Sequence, residues 1–478
     1  MKKRTCWRRI VGIMMVMIIA IGTVGCGGKG KEENKKTNSE IGSEGKTDDT
    51  VVDLEGYEFT IASQFIQNDP DMDAIMDSER YFEEARRHVE ETYNCKITVT
   101  YFNPTIENMR AKIMSGEKIA DVIHIASNKL LPSITAGYVQ SLSNVEGLYP
   151  DDYRWVDATT NMATYNGECY GLNFMRPSEV RTCLLYNREI LKESGVEEDI
   201  VQLVRDKQWT FDKFEEIAKK CTRDKNGDGT IDVYGLYVAV TQQLGISMIN
   251  ANGGNLVAVG EDGLAKENFN SQEAVTALNY LSKWINQDGI VANVYGSMSQ
   301  LGLTTQNYAN YFANGECAFL SCESWLDTQY LKKIAGDLDF GMVPMPMGPD
   351  ADEYITSAYN GLVFAIPSTN TEDLDKTVIV LNALAKAVAG EESEEDSAFD
   401  YDIEMSYFQK GDTDSVEMYK LILDSSYVDL GTGISDMLSD FGTKCVIDAC
   451  YRNVGTPAAA LEAVSGTYQD VIDSVYNN

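Results

Sequence analysis

Hydrophobic positions along this chain follow two periods, and the switches between them mark out the elements. Glu58-Phe-Thr-Ile-Ala62 and Lys96–Tyr101, the latter with Ile97, Val99 and Tyr101 separated by polar residues, predict strands. Between them Phe82, Ala85 and Val89 recur at helical spacing and predict a helix over Glu79–Tyr93. Ile106, Met109, Ile113 and Met114 predict a second helix stopped at Ser115-Gly116, and Asp121-Val-Ile-His-Ile125 a short apolar strand. Strands and helices that alternate in this way imply a parallel sheet flanked by helices. Farther on, the pattern predicts a strand at Thr182–Tyr186 and a helix from Asn187 to Ser194 ended by Gly195. A helix from Gln272 to Gln287, a buried-type strand at Gly361–Ile366 and a helix from Asp373 to Val388 follow. The tail from Met437 to Tyr476 reads as two helical segments separated by Gly455-Thr-Pro457, and no repeat of solenoid period is visible.

One stretch, Trp209–Gly235, combines a helix with a loop of chemical interest. Thr210 can cap the helix, Asp212, Glu215 and Glu216 suit its positive end, and Phe211, Phe214, Ala218 and Cys221 make one apolar stripe. The loop then offers Asp224, Asn226, Asp228, Thr230 and Asp232 at alternate places, with Gly229 at the turn, before a strand from Val233 to Val240. Hard oxygens at the first, third, fifth, seventh and ninth places have the spacing of a calcium-binding EF-hand loop, although the twelfth place holds Gly235 instead of a bidentate Glu. A structural Ca2+ is the expectation, and a metal-free Asn/Asp/Gly turn is the alternative.

With 478 residues and 44% hydrophobic composition, the chain can bury more than one core. Its net charge of −34 makes nucleic acid an unfavourable partner. Met1–Arg9 is basic, Ile10–Val24 is apolar but short for a membrane span, and Gly25-Cys26 follows, so residues 1–25 read as a signal peptide. Thr23-Val24-Gly25-Cys26 resembles the lipobox of bacterial lipoproteins, with Thr23 where Leu is usual. That resemblance implies a lipidated Cys26 at the extracellular face of the cell membrane; an ordinary secretory peptide cut nearby is the alternative. Residues 26–50, poor in large apolar side chains, read as a flexible tether, and Gly390–Ser397 as a solvated acidic loop.

Sequence motifs offer little catalytic chemistry. The two histidines, His88 and His124, belong to no triad or metal pair and read as structural, and no nucleophile elbow, P-loop or dinucleotide fingerprint is present. Eight cysteines follow Cys26 without zinc-site spacing; Cys221 reads as a buried thiol, and no disulfide is assigned. An enzyme reading survives in one form, a glycosidase using two of the 74 carboxylates, because such pairs leave no local signature.

Several stretches, taken in order, resemble a known family. Trp209-Thr210 with its acidic loop and Asp232-Val-Tyr-Gly235 is one; Tyr170-Gly-Leu-Asn173, with Asn where the family has Pro, and Tyr186-Asn187-Arg188 are others. Tyr311-Phe-Ala-Asn-Gly-Glu-Cys-Ala-Phe-Leu320 before Glu323-Ser-Trp325, and Asp339–Pro349 with its alternating prolines, complete the set. Together they resemble the extracellular solute-binding proteins of bacterial carbohydrate ABC importers, the maltose-binding type. The resemblance implies an α/β, two-lobed periplasmic-binding-protein-like fold, each lobe a mainly parallel sheet flanked by helices and joined by hinge crossings. Expected lobes are 51–173 plus about 356–430 and 174–355 plus about 431–478. It implies a monomer, with no enzymatic activity, that captures a carbohydrate, expected to be an oligosaccharide, in a cleft between the lobes and passes it to an ABC permease or, alternatively, to a sensor, and that meets the membrane only through its lipid. Ligand contacts are expected from Trp325 above all, and from Gln64, Ser127, Asn128, Tyr170, Asn173, Gln242, Gln243, Tyr359, Asn360 and Phe441.

Overall fold

The computed structural model describes residues 52–66, 77–143, 145–150, 152, 155, 160, 163–165, 167–175, 180–260, 264–292, 305–323, 331, 338–359, 361–389, 408–409 and 411–477. The first lobe begins with β1 (Tyr57–Ser63), α1 (Asp77–Tyr93), β2 (Cys95–Tyr101), α2 (Ile106–Ser115), β3 (Val122–Ala126) and α3 (Ser127–Thr135). β2 and β3 flank β1 in parallel, as strand–helix alternation requires. Phe59, Ile61, Ile97, Val99 and Val122 meet Phe82, Ala85 and Val89 of α1 in one core, so the two sequence periods close on the same face. Thr105 caps α2 by accepting from the Asn108 amide, and Gly116 ends it in the left-handed region. A small antiparallel hairpin follows, β4 (Thr164–Tyr165) and β5 (Glu168–Cys169).

The chain then enters the second lobe through β6 (Val180–Asn187), the spine of that lobe's sheet. After α4 (Arg188–Glu193), α5 (Ile200–Arg205) and α6 (Phe211–Cys221) come β7 (Tyr234–Val238), α7 (Thr241–Ala251), β8 (Val257–Val259), β9 (Ala265–Glu267), α8 (Gln272–Asn286) and α9 (Thr305–Ala313). β10 (Cys317–Glu323), β11 (Phe340–Pro344) and β12 (Thr356–Tyr359) complete the segment. β6 pairs antiparallel with β10, β11 and β12, while β10 pairs parallel with β7, so this sheet is mixed. The chain returns as β13 (Leu362–Ala365), antiparallel to β3, and α10 (Leu374–Ala389), which packs on α1.

The last segment goes back to the second lobe. α11 (Thr413–Asp424) packs on β11, and β14 (Ser426–Tyr427) pairs parallel with β12. A 3-10 turn (Leu430–Gly433), α12 (Ser435–Asp440), a π-helical run (Phe441–Tyr451), α13 (Pro457–Val464) and α14 (Gln469–Tyr476) close the chain. Residues 356–359 and 426–427, expected from sequence in the first lobe, thus pair into the sheet of β6, and the helix at 413–424 packs on β11 of that sheet.

Two of the sequence motifs turn out to be structural mates. The Trp209 indole N–H donates to the Pro344 carbonyl at 3.0 Å, and the Met347 amide donates to the Trp209 carbonyl at 3.0 Å. The tryptophan thus anchors α6, capped by Thr210, against the proline-rich stretch that leaves β11. The crossings are likewise laced together: Leu172 and Phe364 exchange backbone hydrogen bonds at 3.1 and 2.8 Å.

Candidate ligand-binding site

Open α/β sheets place ligands beyond the carboxyl ends of their strands, and the cavity of this protein lies there. Its volume is about 550 Å³, inside the range of small-molecule sites. On one side α3, which starts directly after β3, presents Ser127, Leu130, Leu131 and Ile134, and the hairpin adds Thr164 and Tyr165. The facing wall belongs to the second lobe: Val259 of β8, Ala265 of β9, Ser426 and Tyr427 of β14, the 3-10 turn, and Tyr476 of α14. Three tyrosines from three separate elements thus surround a space that also holds several hydroxyl groups and aliphatic side chains.

The 3-10 turn is set by Asp429, which is fully buried. Its carboxylate accepts from the amides of Gly431 at 2.9 Å, Leu256 at 2.5 Å and Val257 at 3.3 Å. Burial pushes its pKa up, while those donors pull it down. Asp429 is the one carboxylate among the described residues that line the cavity, so no opposed acid pair faces the space there. Burial likewise raises the Tyr427 and Tyr476 phenols, keeping both as neutral donors. The Tyr476 hydroxyl donates to the Leu430 carbonyl at 2.5 Å, which fixes the last helix against the turn.

Of the residues expected from sequence, Ser127 lines the cavity. Asn128 sits beside it in α3. Gln64 lies just past β1 and accepts from Lys129 of α3 at 3.3 Å; Lys129 also donates to Asn103 at 2.8 Å, making a polar cluster at the strand ends. Tyr170, half-buried against the first-lobe core, donates to Glu168 at 3.1 Å. Three of the expected residues are buried with partners of their own. Asn173 is buried at the crossing, donating to the Leu362 carbonyl at 2.7 Å and accepting from the Met175 amide at 2.9 Å, so it clamps the hinge. Gln243 is buried and reaches Ser357 at 3.4 Å. Phe441 is fully enclosed in the second-lobe core, where Phe269 is its aromatic neighbour. Gln242 donates to the Leu438 carbonyl, away from the cavity lining. Tyr359 contributes its backbone to the β6 pairing. Trp325 and Asn360 lie outside the described residues, as does Cys26.

Sequence reading missed Tyr165, Tyr427 and Tyr476. A signal existed for the first: Asn166-Gly167 is a hairpin-turn dipeptide, which places Tyr165 at a strand end. Tyr427 and Tyr476 carry none, because only the tertiary fold brings them together.

The acidic loop closes on itself. Asp224 accepts from the Gly227 and Gly229 amides at 2.6 and 2.7 Å, Asn226 from Asp228 at 2.8 Å, Asp228 from Thr230 at 2.8 Å, and Asp232 from Lys225 at 2.6 Å. These amides hold the Asp224 and Asp228 carboxyls below the usual range. Among the described residues no three acidic, histidine or cysteine side chains converge as a metal-holding group. The loop therefore offers oxygens of the kind and order that suit calcium, with its carboxylates engaged by backbone amides.

The family model for bacterial extracellular solute-binding proteins matches residues 77–388, well over half of the chain. The chain belongs to that family. Solved structures agree on the fold of this solute-binding protein. The sugar-binding protein MalE of Xanthomonas citri aligns at 14% identity with a TM-score of 0.63, covering 87% of this chain and 97% of its own. An ABC substrate-binding protein of Listeria monocytogenes in complex with cycloalternan aligns at 17% identity, TM-score 0.59, over 87% and 98% of the two chains. A MalE domain of Bdellovibrio bacteriovorus bound to maltotriose aligns at 19% identity, TM-score 0.57, over 87% and 99%. By sequence, no curated protein matches.

Proposed function

We propose that this solute-binding protein captures a carbohydrate, an oligosaccharide, in the cavity between its lobes and releases it unchanged to an ABC import permease. The observation that carries the reading is the cavity lining. Tyrosine faces suit the C–H surface of a sugar ring, and Ser127, Thr164, Ser426 and Thr432 suit its hydroxyls. Because the walls come from both lobes, a bound solute stabilises the closed arrangement and shifts an open–closed equilibrium. Oligosaccharides bound by the Listeria and Bdellovibrio proteins support the choice of ligand class.

A thermal-shift panel of neutral oligosaccharides tests this. The cognate sugar at a hundredfold excess over its Kd adds about 2.7 kcal/mol of stability, and chromatography recovers it intact. Tyr165→Ala should weaken binding about tenfold. No shift across the panel, or a released product, would overturn the proposal.

We infer further that Cys26 is the lipidated residue and anchors the protein at the outer face of the cell membrane. Cys26→Ser should move the protein from the membrane fraction to the medium; retention on membranes would refute the anchor. The Asp224–Asp232 loop is read as a weak structural calcium site of the second lobe.

A further inference from the structure

Antiparallel pairing puts Cys183 of β6 directly opposite Cys322 of β10. Residues in such register have Cα atoms about 4.5 or 5.5 Å apart, depending on the hydrogen-bonding class of the pair. Both spacings fall inside the window of about 4.4–6.8 Å that a disulfide accepts. The two side chains share one face of the sheet, and their Sγ atoms lie 4.0 Å apart. Leu185 and Leu320, the next pair on that face, are buried beside them, so the sulfurs meet in an apolar layer with both strands fixed. The position matters to the hinge. Residues 180–181 of the same strand pair with β12, where the chain prepares to cross back, while β10 ends one residue after Cys322.

We propose that Cys183 and Cys322 are a disulfide site that closes when the chain folds outside the cytoplasm, locking the hinge end of β6 to the carboxyl end of β10. The oxidant is a low-molecular-weight disulfide such as oxidised glutathione. One cysteine thiolate attacks it, forming a mixed disulfide and expelling one glutathione thiolate. The second cysteine thiolate then attacks the protein-bound sulfur, forming the Cys183–Cys322 bond and expelling the second glutathione. The two thiol protons pass to the departing thiolates, so the protein loses two electrons and the glutathione disulfide gains them. Closure belongs to folding, because both cysteines are buried once the sheet is complete. The bond would span 139 residues, a separation at which a cross-link strongly restricts the unfolded chain.

The full chain, refolded with oxidised glutathione and digested without reduction, should yield the Cys183 and Cys322 peptides joined, with dithiothreitol separating them. Oxidised protein should melt several degrees above reduced protein, and Cys183→Ala and Cys322→Ala should each abolish that difference. The peptide map needs no variant, so a substitution that fails to fold leaves the test intact. Unlinked Cys183 and Cys322 peptides after oxidative refolding, or either cysteine joined to a different one, would overturn the proposal.

Discussion

His124 shows how a single side chain sets a pH dependence. It lies fully buried in β3, 3.3 Å from the Ser63 hydroxyl and stacked on Phe364 at 4.7 Å. Burial lowers its pKa from 6.5 to about 3. Between those values the unfolded chain binds a proton that the folded one refuses, so this contribution to stability is full above pH 6.5 and shrinks as pH falls. From pH 6.5 to 5 the loss approaches about 2 kcal/mol at ~1.36 kcal/mol per unit. Urea unfolding of His124→Gln should show a correspondingly smaller loss over that interval, and equal losses would count against a buried neutral imidazole. The same scale shows what sequence position leaves open. Asn173 and Phe441 sit where the family resemblance expects ligand contacts, yet one has both ends of its amide engaged and the other is core. Residue type and position suggest a contact, but side-chain direction decides it.

Elements were the most legible level. The strand and helix periods of residues 58–125 predicted a parallel sheet, and β1, β2 and β3 form it. The π-helical run at Phe441–Tyr451 was not legible, because its apolar residues also fit an ordinary helix. The acidic loop at Asp224–Asp232 lies between these cases. Its alternating oxygens were visible, but the reason for Gly235 at the twelfth place was not: a Cβ there would meet the Cβ and carbonyl oxygen of Ala218 at 2.8 Å. α6 and β7 approach too closely for a Glu there, so the twelfth place supplies no side-chain ligand. Calcium should therefore bind only weakly, with a Kd of about 10⁻⁴–10⁻³ M, the range of extracellular modules. Adding calcium at several millimolar should raise the melting temperature over that in chelator. Equal temperatures would make the loop a self-capped turn.

At the scale of the whole molecule, the two-lobed plan was carried by the order of the motifs, while the cavity was beyond reach of any local pattern. Ser127, Tyr165, Tyr427 and Tyr476 become neighbours only because the chain crosses between lobes and its tail folds back on β9. Asn477 completes that return, accepting from the Ala265 amide at 2.7 Å and donating to its carbonyl at 2.8 Å. The cavity is consequently one of the last features the fold completes. A chain whose last residues have not yet docked can hold a finished first sheet while one wall of the cavity is missing, and a protease that trims the final helix would take Tyr476 out of that wall while leaving most of the fold standing.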